Sequence, residues 1–104
     1  MSTITVRYRN ELLTKLPQTE VTANLIKTTA ELFNKKPEEI IVEYLPWSTA
    51  VNVPDILIRA ETSMGRKDLL DEWGQSLKGI CDNLNLGDVS VAVKTFAIES
   101  VWID

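Results

Sequence analysis

The sequence predicts an α+β fold of two βαβ halves, in which a four-stranded sheet carries two helices on one face. Three observations lead there. Hydrophobic periodicity switches along the chain in the order strand, helix, strand, strand, helix, strand. Ile4-Thr5-Val6-Arg7 returns as Ile56-Leu57-Ile58-Arg59, which divides one domain, 1–104, into pseudo-repeats of about 1–52 and 53–104. Right-handed crossovers then put both helices on the same side of the sheet.

Each element has a local cause. In 3–9, Ile4, Val6 and Tyr8 alternate with polar neighbours, as in a strand with one buried face. Residues 10–15 have no period and read as a loop. Pro17 suits the first position of a helix, and Glu20 favours its positive end. Val21, Leu25, Ile26, Leu32 and Phe33 share one stripe, and Asn34 with Pro37 beyond it supplies a stop, so the first helix spans 17–34. Residues 39–45 are β-branched and nearly continuous, the pattern of a central strand buried on both faces. A loop at 46–54 carries Pro46, Trp47 and Pro54 and precedes a third strand at 56–61. Ser63 is placed to cap a second helix with its body at 66–84. There Leu69, Trp73, Leu77, Ile80 and Leu84 make the cleanest helical stripe in the chain. Asn85 and Gly87 end it. Val89, Val91 and Val93 alternate in the last strand, 89–96, and 97–104 is a tail with Val101, Trp102 and Ile103.

Composition removes several function classes. Hydrophobic residues at 44% and charged residues at 25% suit a folded chain with its own core. The net charge is −4 and the basic residues are scattered, so no nucleic-acid partner is expected. The chain has no histidine, which removes the usual base near neutral pH and the commonest metal ligand. Cys81 is the one cysteine, so neither an intrachain disulfide nor a thiolate metal cluster can form. Its place on the helix stripe reads as a buried, inert thiol. Asp68, Asp71 and Glu72 read as a polar helix face. No metal and no cofactor are expected. Nothing resembles a signal peptide, and no run approaches the ~20 apolar residues of a membrane span. A cytoplasmic protein without membrane contact is the expectation.

With both helices on one side, the other sheet face is uncovered. Ile41, Val91 and Val93 with their neighbours are expected to make both faces apolar, and the cheapest cover is another copy of the chain. The segment around Trp102 is expected to reach a neighbouring subunit.

Lys36-Pro37-Glu38-Glu39-Ile40-Ile41-Val42 is similar to the lysine–proline turn into the second strand of the tautomerase superfamily. The order of elements resembles that family along nearly the whole chain. The resemblance is to the macrophage migration inhibitory factor and hydroxymuconate isomerase type, and in length to a bacterial branch of small proteins. It implies a homotrimer with three sheets facing inward. It also implies keto–enol proton transfer on a small anionic oxo-acid by the amine of residue 2, exposed when Met1 is removed. The family keeps proline there. This chain has Ser2, a primary amine with an ordinary pKa near 8. Lys36 stands where relatives hold a cation for the substrate carboxylate, or it is a solvated lysine beyond a helix end. Arg7 and Arg59 occupy equivalent strand positions, and either clamp a carboxylate or pair with Glu43 or Glu61. Val89, Ser90, Val91 and Ala92 do not match the polar residues that relatives use on strand four. Trp47 lines either a cleft or a subunit contact.

Two rival readings share the element order. One is a non-catalytic oligomeric binding or assembly protein of the same fold. The other is a ferredoxin-like ligand-binding module, whose halves interleave, with strand four between strands one and two.

Overall fold

The computed structural model describes residues 1–47, 50–96 and 100–103, with side chains at all of these except Met64, Gly65, Ser100, Val101 and Trp102. The strands are β1 (Ser2–Arg9), β2 (Ile40–Trp47), β3 (Ile56–Thr62), β4 (Val89–Thr95) and β5 (Ser100–Ile103). The helices are α1 (Gln18–Phe33) and α2 (Leu70–Asp82), with 3₁₀ turns at Asn10–Leu12, Pro37–Glu39 and Met64–Leu69.

The sheet order is β2-β1-β3-β4-β5. Pairs β1–β2 and β3–β4 are parallel and each is bridged by a helix, while β1 and β3 run antiparallel at the centre. The two βαβ halves therefore lie side by side. This order excludes the interleaved ferredoxin-like arrangement.

Strand alternation decides which side each residue takes. Val6 lies beside Tyr44 and Ile58, and Ile58 beside Val91, all in one row. These positions join Val21, Leu25, Phe33, Trp73 and Leu77 in a single cluster, so α1 and α2 both cover that face. The next row, on the opposite face, reads Glu43, Thr5, Arg59 and Ala92.

The uncovered face corrects the expectation that both faces are apolar. Val91 and Val93 are both on the helix side at 0% exposure. A period of two sends every alternate valine the same way and leaves Ser90, Ala92 and Lys94 for the other side. What remains there is a mixed surface of Thr5, Arg7, Arg59 and Lys94 with exposed Ile41 and Leu45. Strand β2 is likewise an edge strand in the chain, not a central one. A short apolar run does not say how many neighbours a strand has.

The tail adds a fifth strand to the four expected, pairing antiparallel with β4 from Val91↔Ile103 to Lys94↔Ser100. The expected contact of the Trp102 side chain lies outside the described residues. Gly74 on α2 makes room for this strand: a Cβ there would stand 2.8 Å from Cγ1 of Ile103. Helix two also begins later than its stripe suggests. The segment Met64–Leu69 is 3₁₀, and Ser63 makes no side-chain cap. Asn34 stops α1 as expected, in the left-handed conformation at φ 52°.

Cys81 is fully buried on α2, as expected from its place on the stripe. Burial, with Asp82 adding its charge, pushes the thiol up to about 11. At pH 8 it is protonated in the folded chain, so a thiol reagent should label it only through unfolding. Labelling that follows the denaturant transition is the expected result; fast labelling of the native chain would show an accessible thiolate.

Candidate functional site

The amino-terminal end of β1 gathers polar groups on the helix side of the sheet. Ser2 lies opposite Ile40 of β2 and turns its side chain inward at 0% exposure. Its Oγ is 3.0 Å from Oγ1 of Thr62, at the end of β3. Lys35 reaches both, donating from Nζ to Ser2 Oγ at 2.9 Å and to Thr62 Oγ1 at 3.3 Å. Thr95 is the register partner of Thr62 and fully buried, and among the described residues its hydroxyl has no hydrogen-bond partner.

Local structure puts Lys35 there. Asn34 in the left-handed region ends α1, and the N–H of Lys35 closes the helix on the carbonyl of Ala30 at 3.0 Å. The lysine thus leaves the helix at the edge of the sheet, and its Nζ also sits 5.9 Å from the centre of the Phe33 ring. The Lys35 ammonium beside the α-amine of Met1 holds that amine below its ordinary value, through hydrogen bonding first and charge second. Partial desolvation acts in the same direction, and Glu39 opposes it. A cation neighbour favours the neutral amine, which is the form that can take a proton.

The residues expected from the sequence do not all converge. Ser2 is at this cluster. Lys36 is exposed and opens the following 3₁₀ turn, its carbonyl accepting from the N–H of Glu39. Lys35, one residue earlier, holds the inward position. Arg7 and Arg59 lie on the uncovered face, away from Ser2. Arg7 stacks 4.0 Å from the centre of the Trp47 ring and donates to the carbonyls of Leu45 and Pro46, at 3.4 Å each. Among the described residues neither arginine pairs with Glu43 or Glu61: Glu43 accepts from Thr5, and Glu61 meets Lys94 at 3.5 Å. Trp47 lines a cavity of about 90 Å³ with Arg9, Asn10, Glu11, Ala50 and Val53. Sequence reasoning missed Lys35 and Thr62. The one available signal for Lys35 was Asn34, because the residue after a left-handed stop leaves the helix direction.

No family model matches this sequence, and no curated protein matches it. Solved structures do. A 5-carboxymethyl-2-hydroxymuconate isomerase from Deinococcus radiodurans superposes with a TM-score of 0.74 over 99% of this chain and 88% of that one, at 14% identity. A member of the cis-3-chloroacrylic acid dehalogenase family gives 0.69 over 90% and 74%, at 17% identity. The fold is that of the tautomerase superfamily. A fused 4-OT, solved as an asymmetric trimer, matches with a TM-score of 0.52 over 89% of this chain and 81% of that one, at 13% identity. At these identities the likeness is one of tautomerase fold. No helix among the described residues is long and apolar enough to cross a membrane.

Proposed function

We propose that this chain is a tautomerase-like homotrimer that moves a proton on a small anionic oxo-acid, with its N-terminal amine as the acid–base group. One observation carries the reading: Lys35 Nζ lies 2.9 Å from Ser2 Oγ at the start of β1, and it lowers the pKa of the neighbouring Met1 amine. The neutral amine takes a proton from the carbon next to the carbonyl, and the ammonium it becomes returns one to the enolate. Lys35, steadied by the Ser2 and Thr62 hydroxyls, offers its charge to the carboxylate, and exposed Lys36 adds a second cation nearby. Arg7 and Arg59 face away from the amine, so a carboxylate-clamping role for them requires a neighbouring copy. The superfamily fold and the exposed apolar Ile41 and Leu45 on the edge strand support self-association.

Mass spectrometry of the intact chain identifies the amine; a retained Met1 removes the Ser2 nitrogen as base. The ultraviolet decay of an aryl 2-oxo-acid enol then measures turnover. Lys35→Gln is expected to move the acidic limb of kcat/KM to higher pH. Its cation lowers the amine's pKa, so its removal raises that pKa, and the neutral base then appears only at higher pH. An unmoved limb would reject the assignment. Light scattering at micromolar concentration checks the trimer, and a stable 11.7 kDa species would defeat it.

A specific observation favours a second reading, a non-catalytic oligomer of the same fold. The Ser2 side chain is fully buried and hydrogen-bonded, as a purely structural residue would be. Absence of enol turnover together with a trimer would select it.

A further inference from the structure

We propose that the groove between α1 and α2, at the end of the sheet far from Ser2, binds a small primary alkylammonium ion. The groove holds a cavity of about 230 Å³, lined by Glu20, Val21 and Asn24 on α1 and by Ile80, Asn83 and Leu84 around the end of α2. Topology accounts for its place. The parallel pairs β1–β2 and β3–β4 are each bridged by a helix, and β1 runs antiparallel to β3, so the two helices run antiparallel as well. The first turn of α1 therefore stands beside the last turn of α2. This site shares no residue with the cluster around Ser2 and does not depend on the reading given to that cluster.

Both parts of such a ligand have a counterpart in the lining. Val21 is 1% exposed, and Ile80 and Leu84 are partly buried against the core. Together they offer a short alkyl chain an apolar surface. The polar part of the lining sets the sign of the charge. Among the described residues Glu20 is the one charged group of the lining, and the adjacent Asp82 is already held by Lys78 at 2.8 Å. The opposed helix ends, positive at α1 and negative at α2, offset each other, which leaves the Glu20 carboxylate to decide. The N–H groups that close α2 donate from Asn83 to the carbonyl of Gly79, from Leu84 to that of Cys81 and from Asn85 to that of Asp82, each at 3.1 Å. They pass over the carbonyl of Ile80, a lining residue. A primary ammonium carries three N–H donors, enough for the Glu20 carboxylate, this carbonyl and one asparagine side-chain oxygen. An anion would meet Glu20 with like charge, in a chain whose net charge is already −4. The cavity is smaller than the roughly 300–1,000 Å³ of drug-sized sites, so the ligand has few heavy atoms.

Amide NMR of the intact chain tests this, with butylammonium chloride as the probe at fixed ionic strength near neutral pH. Signals from 20–24 and 80–84 are expected to move along a saturating curve, while sodium chloride leaves them in place. Butan-1-ol keeps the alkyl chain and loses the charge, so it should bind about threefold more weakly. Glu20→Gln should weaken butylammonium by about the same factor, the scale of a solvent-facing ion pair. Glu20→Lys should reverse the choice, so that butyrate saturates the same signals and butylammonium does not. Circular dichroism of each variant separates a lost site from a lost fold, and Glu20→Gln carries the test where the reversed charge frays the first turn of α1. Shifts that climb without saturating would overturn the proposal. So would equal binding of butan-1-ol and butylammonium, or a Glu20→Gln chain that binds the amine as tightly as the parent.

Discussion

Gly87→Ala is expected to destabilise the chain by about 3 kcal/mol, combining steric overpacking with a backbone conformation that alanine rarely adopts. For a domain of this size that corresponds to a fall in Tm of about 12 °C or more. Gly87 has a φ of +125°. A Cβ there would stand 2.2 Å from Oδ2 of Asp55, 2.6 Å from its Cγ and 2.9 Å from its Cβ. Retreat would cost the carboxylate both of its partners. Oδ2 accepts from the N–H of Asp88 at 2.8 Å, and Oδ1 meets Arg9 Nε at 2.6 Å. The backbone repeats the tie, with the N–H of Arg9 on the carbonyl of Asp55 and the N–H of Ile56 on that of Asp88, both at 3.0 Å. Gly87 thus closes the joint where β1, β3 and β4 meet at the far end of the sheet from Ser2. A double-mutant cycle in urea isolates the clash. With Asp55→Ala already present, the added cost of Gly87→Ala should shrink to the backbone part and the remaining contact with the Cβ of residue 55, which alanine keeps. Additive losses would show that the carboxylate contact is not the cause.

Trp73→Ala should cost about 3–5 kcal/mol, the range for emptying a large aromatic site in a packed core. Trp73 is 0% exposed and packs edge-on against Phe33, with ring centres 5.0 Å apart at 72°. Its Nε1 donates to Thr29 Oγ1 at 2.9 Å, which ties α2 to α1 through the core. Trp73→Phe separates the two contributions. It keeps much of the apolar volume but strands the buried Thr29 hydroxyl, at a cost of about 1–3 kcal/mol for the unpaired group on top of the smaller ring. Adding Thr29→Val removes the stranded hydroxyl, so the double variant should recover part of that loss in chemical denaturation. A double variant no more stable than Trp73→Phe alone would show that the indole hydrogen bond contributes little.

The features legible in the residues themselves are local. The alternation of Ile4, Val6 and Tyr8, the stop at Asn34, and the stripe through Trp73 and Leu77 each follow from backbone stereochemistry and from the period of a strand or helix. They placed α1 within a residue at each end and identified the repeated βαβ order, while the tautomerase-like fold came from the resemblance of that order and of the turn at 36–42 to a known family. The same logic placed Cys81 in the core. Tertiary structure decided what depends on contacts between distant residues. Whether 40–47 is an edge or a central strand depends on how many neighbours it finds, and its own residues do not encode that number. The valines of β4 do not make the second face apolar, because the pleat sends them all to the helix side. Helix two starts as a 3₁₀ turn although its stripe reaches back to Leu69, since periodicity marks which residues are buried and not how tightly the turn before them is wound. The candidate site shows the limit most clearly. Lys35 and Lys36 are adjacent and chemically identical, and it is Lys35 whose Nζ reaches Ser2 and Thr62, which the pairing of β1 with β3 brings together. Arg7 and Arg59 repeat each other in sequence, yet strand parity puts both on the face that Ser2 avoids.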